Sequence, residues 1–139
     1  MGRGLGCVLP HYNFRVILTT IPWEVEHTDE FEEWWDTISE EEQEDIALAV
    51  EKLEEQGPSL GRPLADTLEN SRHANMKELR PPGSNIRVFF VFDPRRRAIL
   101  LIGGDKTGRW REFYEEMIPV ADDLYDGDLD ELREEGEIP

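Results

Sequence analysis

Residues 86–92 read Ile-Arg-Val-Phe-Phe-Val-Phe and residues 98–102 read Ala-Ile-Leu-Leu-Ile, with Asp93-Pro94-Arg95-Arg96-Arg97 between them. Two strand-length runs of branched and aromatic residues around a polar turn predict a β-hairpin, and one so apolar has to be covered by the rest of the chain. Alternation places Ile86, Val88, Phe90 and Phe92 on one face and Arg87, Phe89 and Val91 on the other. The first, wholly apolar face must meet helices. Arg87 then belongs to the opposite face, where a cation in a largely buried strand needs either a carboxylate partner or a wet cleft.

The helices precede the hairpin. Trp23 to His27 is a short strand with Trp23, Val25 and His27 on one face, and Thr28-Asp29 offers an N-cap. Phe31, Trp34, Trp35 and Ile38 then recur at helical spacing. Ser39 with Glu42 is a capping box for a second helix carrying Ile46, Ala49, Val50 and Leu53 and ending at Gly57-Pro58. Residues 58–70 lack any period and read as a loop. Met76 to Arg80 is a short strand closed by Pro81-Pro82-Gly83, which makes the hairpin part of a meander. Trp110, Phe113, Tyr114, Met117, Ala121, Leu124 and Tyr125 follow on a last helix that Pro119 is expected to break or kink. The expectation is one α+β domain over residues 22–126 in the order β-α-α-β-β-β-α, an antiparallel sheet packed against an N-terminal helical hairpin with a C-terminal helix. Residues 1–21 read as a disordered extension, and residues 127–139 as a frayed acidic tail.

The net charge of −17 argues against a nucleic-acid partner, but its distribution argues the other way. Between Arg72 and Arg111 stand ten basic residues and three acidic ones, a local charge of +7 within an otherwise acidic chain. A single cysteine, Cys7, excludes an internal disulfide framework, and with the scattered His11, His27 and His73 it gives no metal-ligand spacing. No apolar run approaches a membrane span, and Pro10, His11, Asn13 and Arg15 interrupt any signal-peptide core, so a cytoplasmic protein is expected.

Residues 103–108, Gly-Gly-Asp-Lys-Thr-Gly, raise the question of a phosphate cradle. In a nucleotide-binding loop the lysine directly follows the last glycine of G-x-x-x-x-G-K-[ST], whereas Asp105 separates Gly104 from Lys106 here. A nucleotide cofactor is therefore not expected. The segment reads as a strand-end hinge in which Gly103 and Gly104 free the backbone for close approach of a ligand, and Asp105 restrains Lys106 through a salt bridge.

Met76-Lys77-Glu78-Leu79-Arg80, Ile86-Arg87-Val88-Phe89-Phe90 and Leu100-Leu101-Ile102-Gly103-Gly104-Asp105-Lys106, in this order, resemble the RelE/ParE superfamily of bacterial toxins, and most closely its HigB-like, phage-protein-like branch. The resemblance runs from Trp23 to about Leu124. It implies a small RelE-like fold, a ribosome-dependent endoribonuclease acting on mRNA in the decoding site, and a cognate helix-turn-helix antitoxin as partner. It implies neither metal nor cofactor.

Such cleavage needs a base for the 2′-OH, a cationic clamp on the phosphate and an acid for the departing oxygen. Arg87 would clamp, Lys106 act as base or second clamp, Arg80 position the backbone, and Tyr114 stack or donate a proton. Lys77, Arg95, Arg96, Arg97, Arg109 and Arg111 would hold the RNA. Where relatives place catalytic lysines on the first meander strand, this chain has Met76 and Glu78, with Lys77 out of register. Two other readings are a ParE-like gyrase inhibitor and a non-enzymatic interaction protein using Trp34, Trp35, Trp110 and Phe113 as a partly exposed partner surface.

Overall fold

The computed structural model describes residues 22–139, together with the backbone of three two-residue strands before them, β1 (Arg3–Gly4), β2 (Val8–Leu9) and β3 (Tyr12–Asn13). The disordered extension expected over residues 1–21 otherwise lies outside the described residues. The main elements are β4 (Val25–Thr28), α1 (Asp29–Trp35), α2 (Glu40–Gln56), β5 (Ala65–Thr67), β6 (Lys77–Leu79), β7 (Ile86–Phe92), β8 (Ala98–Asp105) and α3 (Trp110–Glu134). The sheet order is β1-β4-β8-β7-β6-β5.

The meander β6-β7-β8 is antiparallel as expected, but β4 pairs parallel to β8, so the sheet is mixed. The reason is the route of the chain. After β4 the helical hairpin crosses one face of the sheet before the meander begins, and such a crossover permits a parallel return. A strand that the sequence concealed, β5, pairs antiparallel with β6 at the far edge. At three residues it is too short to show a period.

Both helix starts follow their local chemistry. Thr28 caps α1 by accepting the Phe31 amide at 2.9 Å, and Ser39 and Glu42 close the capping box of α2 from both sides. The hairpin α1/α2 lays Phe31, Trp35, Ile46, Val50 and Leu53 on Ile86, Val88, Phe90 and Leu100. The opposite face is covered as well: Phe89, Val91, Ile99 and Leu101 pack against Phe113, Ile118, Ala121 and Tyr125 of α3. Two layers of helix therefore sandwich the β7-β8 hairpin.

α3 departs from expectation. It runs unbroken through Pro119 to Glu134, where a kink and then a frayed tail beyond Asp126 were expected. Packing decides this, because Tyr125, Asp128 and Leu132 are buried, Leu132 completely.

A bulge sits in β8. Phe89 pairs with Ile102 and Phe90 with Leu100, which leaves Leu101 without a partner residue on β7. The extra carbonyl is not orphaned, since the Thr28 hydroxyl donates to Leu101 O at 2.7 Å. Thr28 thus ties the start of α1 to the bulge, and β8 continues three residues past the expected end at Ile102, to Asp105.

Candidate functional site

Strand alternation and register bring the expected cations to one end of the sheet. Glu78 lies opposite Phe89 in the β6-β7 ladder, and Arg87 precedes Phe89 by two residues on the same strand. Glu78, Arg87 and Phe89 therefore share the α3 face, and Arg80 follows Glu78 by two just beyond β6. The first turns of α3 close the group from above. The Tyr114 ring stacks on Phe89 at 6.0 Å and 15°.

Glu78 is the centre of this arrangement, although it is only 3% exposed. Its Oε2 accepts from Arg80 at 2.7 and 3.1 Å, and its Oε1 accepts from the Tyr114 hydroxyl at 2.6 Å. Arg87 Nε stands 3.8 Å from the same Oε1. The Arg87 guanidinium is fixed from behind, with Nη1 donating to the backbone carbonyls of Ser84 and Ile86 at 3.0 and 2.8 Å. Of its two sequence readings the structure shows the carboxylate partner, and it is Glu78 rather than Arg87 that lines the neighbouring cleft.

Lys106 follows β8, and its ammonium lies over the Trp110 ring at 5.4 Å. Burial lowers its pKa, Arg87 lowers it further, and Glu78 opposes both. Tyr114 is pushed up to about 12, by burial first and then by donating to Glu78. The hydrogen bond to Glu78 is the largest influence on Arg80 and raises its pKa.

A cleft of about 1330 Å³ opens beside the cluster, lined among others by Glu78, Arg80, Tyr114, Trp110, Arg111 and Arg72. It runs between α3 and the segment that carries β5. Among the described residues, no group of three or more His, Cys, Asp and Glu side chains is placed to hold a metal. No helix among them is long and apolar enough to cross a membrane.

The remaining expected RNA contacts are scattered. Arg95 and Arg97 belong to the β7-β8 turn, at the opposite end of the strands from Arg87 and Lys106. Arg95 pairs with Asp93 at 2.6 Å and Glu26 at 2.9 Å, and Arg97 pairs with Glu24 and Glu26 at 2.7 and 2.8 Å. Arg96 lies over Trp23. Arg109 pairs with Glu116, and Arg111 is exposed at the cleft. Lys77 alternates away from Glu78, onto the face where Leu79 joins the helical-hairpin core.

The glycines of residues 103–108 do something other than expected. A Cβ on Gly103 would fall 2.3 Å from the Trp34 ring, and one on Gly104 would fall 2.6 Å from the Phe113 ring. They lie inside β8 and admit one aromatic ring on each face, so they form neither a hinge nor an open approach for a ligand. Asp105 makes no ion pair with Lys106 within 4 Å either and acts on it only through its charge, while its Oδ1 accepts from the Thr107 amide and hydroxyl at 2.8 and 2.6 Å. Of the four aromatics considered as a partner surface, Trp35 and Phe113 are core, Trp34 is half-buried over Gly103, and Trp110 alone is exposed.

Sequence reasoning missed Glu78 as a site residue. It stood in a place where relatives carry lysine and was noted only as a departure. The available signal was its alternation with Met76 and Arg80 on a strand next to Arg87, which requires a buried carboxylate to meet a cation.

A mixed sheet with a helical hairpin on one face, a C-terminal helix on the other and a cationic cluster at the strand ends defines a small RelE-like α+β domain. The family model described as phage derived protein Gp49-like (DUF891) matches residues 33–126, which include every residue of the Glu78 cluster. The chain belongs to this family, within the HigB-like branch of the RelE/ParE superfamily. It is similar to a Mycobacterium tuberculosis protein named "Putative toxin HigB3", 47% identical over 91 residues that make up 66% of this chain and 80% of that relative. It is also similar to "Putative toxin HigB2" of the same organism, 48% identical over 95 residues. That match covers 66% of this chain and 47% of the relative, so the chain spans about half the length of the second protein.

Proposed function

We propose that this chain is the toxin of a type II toxin-antitoxin pair, a cytoplasmic ribosome-dependent endoribonuclease that cuts mRNA through metal-independent attack by the 2′-OH. The observation that carries the reading is the convergence of Arg80, Arg87 and Tyr114 on the buried Glu78 carboxylate, with Lys106 beside them at the strand ends. The names of the two Mycobacterium tuberculosis relatives support the toxin part of the reading.

In this mechanism Arg87 and Arg80 hold the scissile phosphate, since a guanidinium forks onto two phosphate oxygens. Lys106, its pKa lowered by burial, accepts the 2′-OH proton. The 2′-oxygen bonds to phosphorus, the bond to the 5′-oxygen breaks, and a 2′,3′-cyclic phosphate remains. Tyr114 is a neutral phenol throughout the physiological range and supplies the proton to the departing 5′-oxygen. Glu78 positions Tyr114 and Arg80 and balances the cations when no phosphate is present. A helix-turn-helix antitoxin is the expected inhibitor.

Induction of the protein followed by mapping of new mRNA 5′ ends, with translation running and with translation blocked, tests the assignment. New ends that depend on translation and disappear in Arg87→Ala are expected. Stalled gyrase without new ends would instead assign the fold to an inhibitor of that enzyme.

A further inference from the structure

We infer that Trp110 is a stacking platform for a base of the mRNA next to the scissile phosphate, and that this subsite contributes to where the strand is cut. The inference rests on the endoribonuclease reading above and concerns a residue to which that mechanism gives no part.

Trp110 is the most exposed large hydrophobic side chain among the described residues, at 63%, on a surface otherwise rich in charge. Such exposure costs free energy, and the ring is nevertheless held in place. The Lys106 ammonium lies over it at 5.4 Å, and Tyr114 meets it edge-on at 5.7 Å and 78°. Tyr114 is itself stacked on the buried Phe89, so the indole extends an aromatic row that is anchored in the core.

The position of the ring matters as much as its exposure. Trp110 lines the same cleft as Glu78, Arg80 and Tyr114, with Arg111 next to it. A flat apolar face beside phosphate-binding cations matches a single-stranded nucleotide, which offers a charged backbone and a π-face together. Base-aromatic stacking tolerates any base but favours the larger ones, which gives the site a graded preference.

Two measurements test this. Tryptophan emission is followed while a short, uncleavable 2′-O-methyl oligoribonucleotide is added to the wild-type protein and to Trp110→Phe. Quenching in the wild type that is largely lost in Trp110→Phe is expected, and equal behaviour of the two proteins overturns the inference. On translating ribosomes, Trp110→Ala should cut about tenfold more slowly at the preferred sites and redistribute its cuts, with Trp110→Phe restoring most of the rate. Unchanged sites and rates in Trp110→Ala also overturn it. If the oligonucleotide quenches Trp110 while the wild type cuts no mRNA, base stacking on Trp110 stands, and the endoribonuclease reading falls together with the part of the subsite in placing cuts. If the wild type cuts and Trp110→Ala cuts identically, the endoribonuclease reading stands and the subsite falls.

Discussion

The Tyr114 hydroxyl donates to Glu78 Oε1 at 2.6 Å, joining α3 to β6 across 36 residues of sequence. The bond has a consequence at alkaline pH. An ordinary tyrosine ionises near pH 10, whereas Tyr114 in the folded chain is pushed up to about 12. Between these values the unfolded chain releases a proton that the folded chain keeps. The stability contributed is complete below about pH 10 and is lost as the pH rises through about 12. Tyr125, also raised to about 12 by burial, acts in the same sense. Tyr114→Phe should therefore lose less melting temperature than the wild type over this range. An identical pH profile for the two proteins would place Tyr114 outside a buried, carboxylate-bound site.

Arg87 is held through Nη1 by two backbone carbonyls, and a lysine cannot reproduce that geometry even though it keeps the charge. Arg87→Lys should fold, bind antitoxin and lower the rate of mRNA cleavage by about a hundredfold, comparable to the loss of one preorganised donor to a transition-state oxygen. Single-turnover cleavage on programmed ribosomes measures this. Full activity would show that charge alone suffices at this position.

Arg95 separates a structural role from an RNA-binding one. Its side chain is 9% exposed and engages Asp93 and Glu26, the latter itself 1% exposed. Removing one partner of a buried ion pair is costly, so Arg95→Ala should lower stability by about 3 kcal/mol in urea unfolding. Cleavage per folded molecule should stay the same. A selective loss of cleavage with normal stability would return Arg95 to the RNA surface.

Gly103 and Gly104 are sites of close packing. Gly104→Ala drives a methyl into Phe113, a fully packed core ring, and should cost about 1–3 kcal/mol. Gly103→Ala meets Trp34, which is only half-buried, so combining it with Trp34→Leu should recover much of the loss. A double-mutant cycle by thermal unfolding gives the coupling directly. Additive effects would mean that the ring does not fill the space above Gly103.

Much of the fold was already legible in local pattern. The capping box at Ser39 and Glu42, the helical stripes of Phe31-Trp35 and Ile46-Leu53, and the alternation of Ile86-Phe92 all depend on neighbours within a turn or a strand, and each forms as its spacing dictates. The Arg80, Arg87, Lys106 and Tyr114 group could be nominated from residue type and resemblance to a family. Its centre was not, because the alternation of Glu78 with Arg80 hints only at a cation partner, and the carboxylate joins the cluster when β6 pairs with β7 and α3 brings Tyr114 across the sheet.

Tertiary structure also gives several local patterns a setting that the sequence does not show. Three arginines in a row at residues 95–97 look like a nucleic-acid patch, but strand direction carries them away from Arg87, and Glu24, Glu26 and Asp93 engage two of them. The glycines before Lys106 look like freedom for the backbone, yet Trp34 and Phe113 occupy the space that their missing side chains leave. Pro119 and the acidic residues after Asp126 argue locally against a long helix, and burial of Tyr125 and Leu132 outweighs them. Sequence by itself determined the longer helices and strands and which face of each is apolar, because those depend on periodicity, whereas β5 and the last turns of α3 form only through pairing and burial. The tertiary structure decided which charges meet and which are neutralised, because ion pairs depend on distances between residues far apart in the chain.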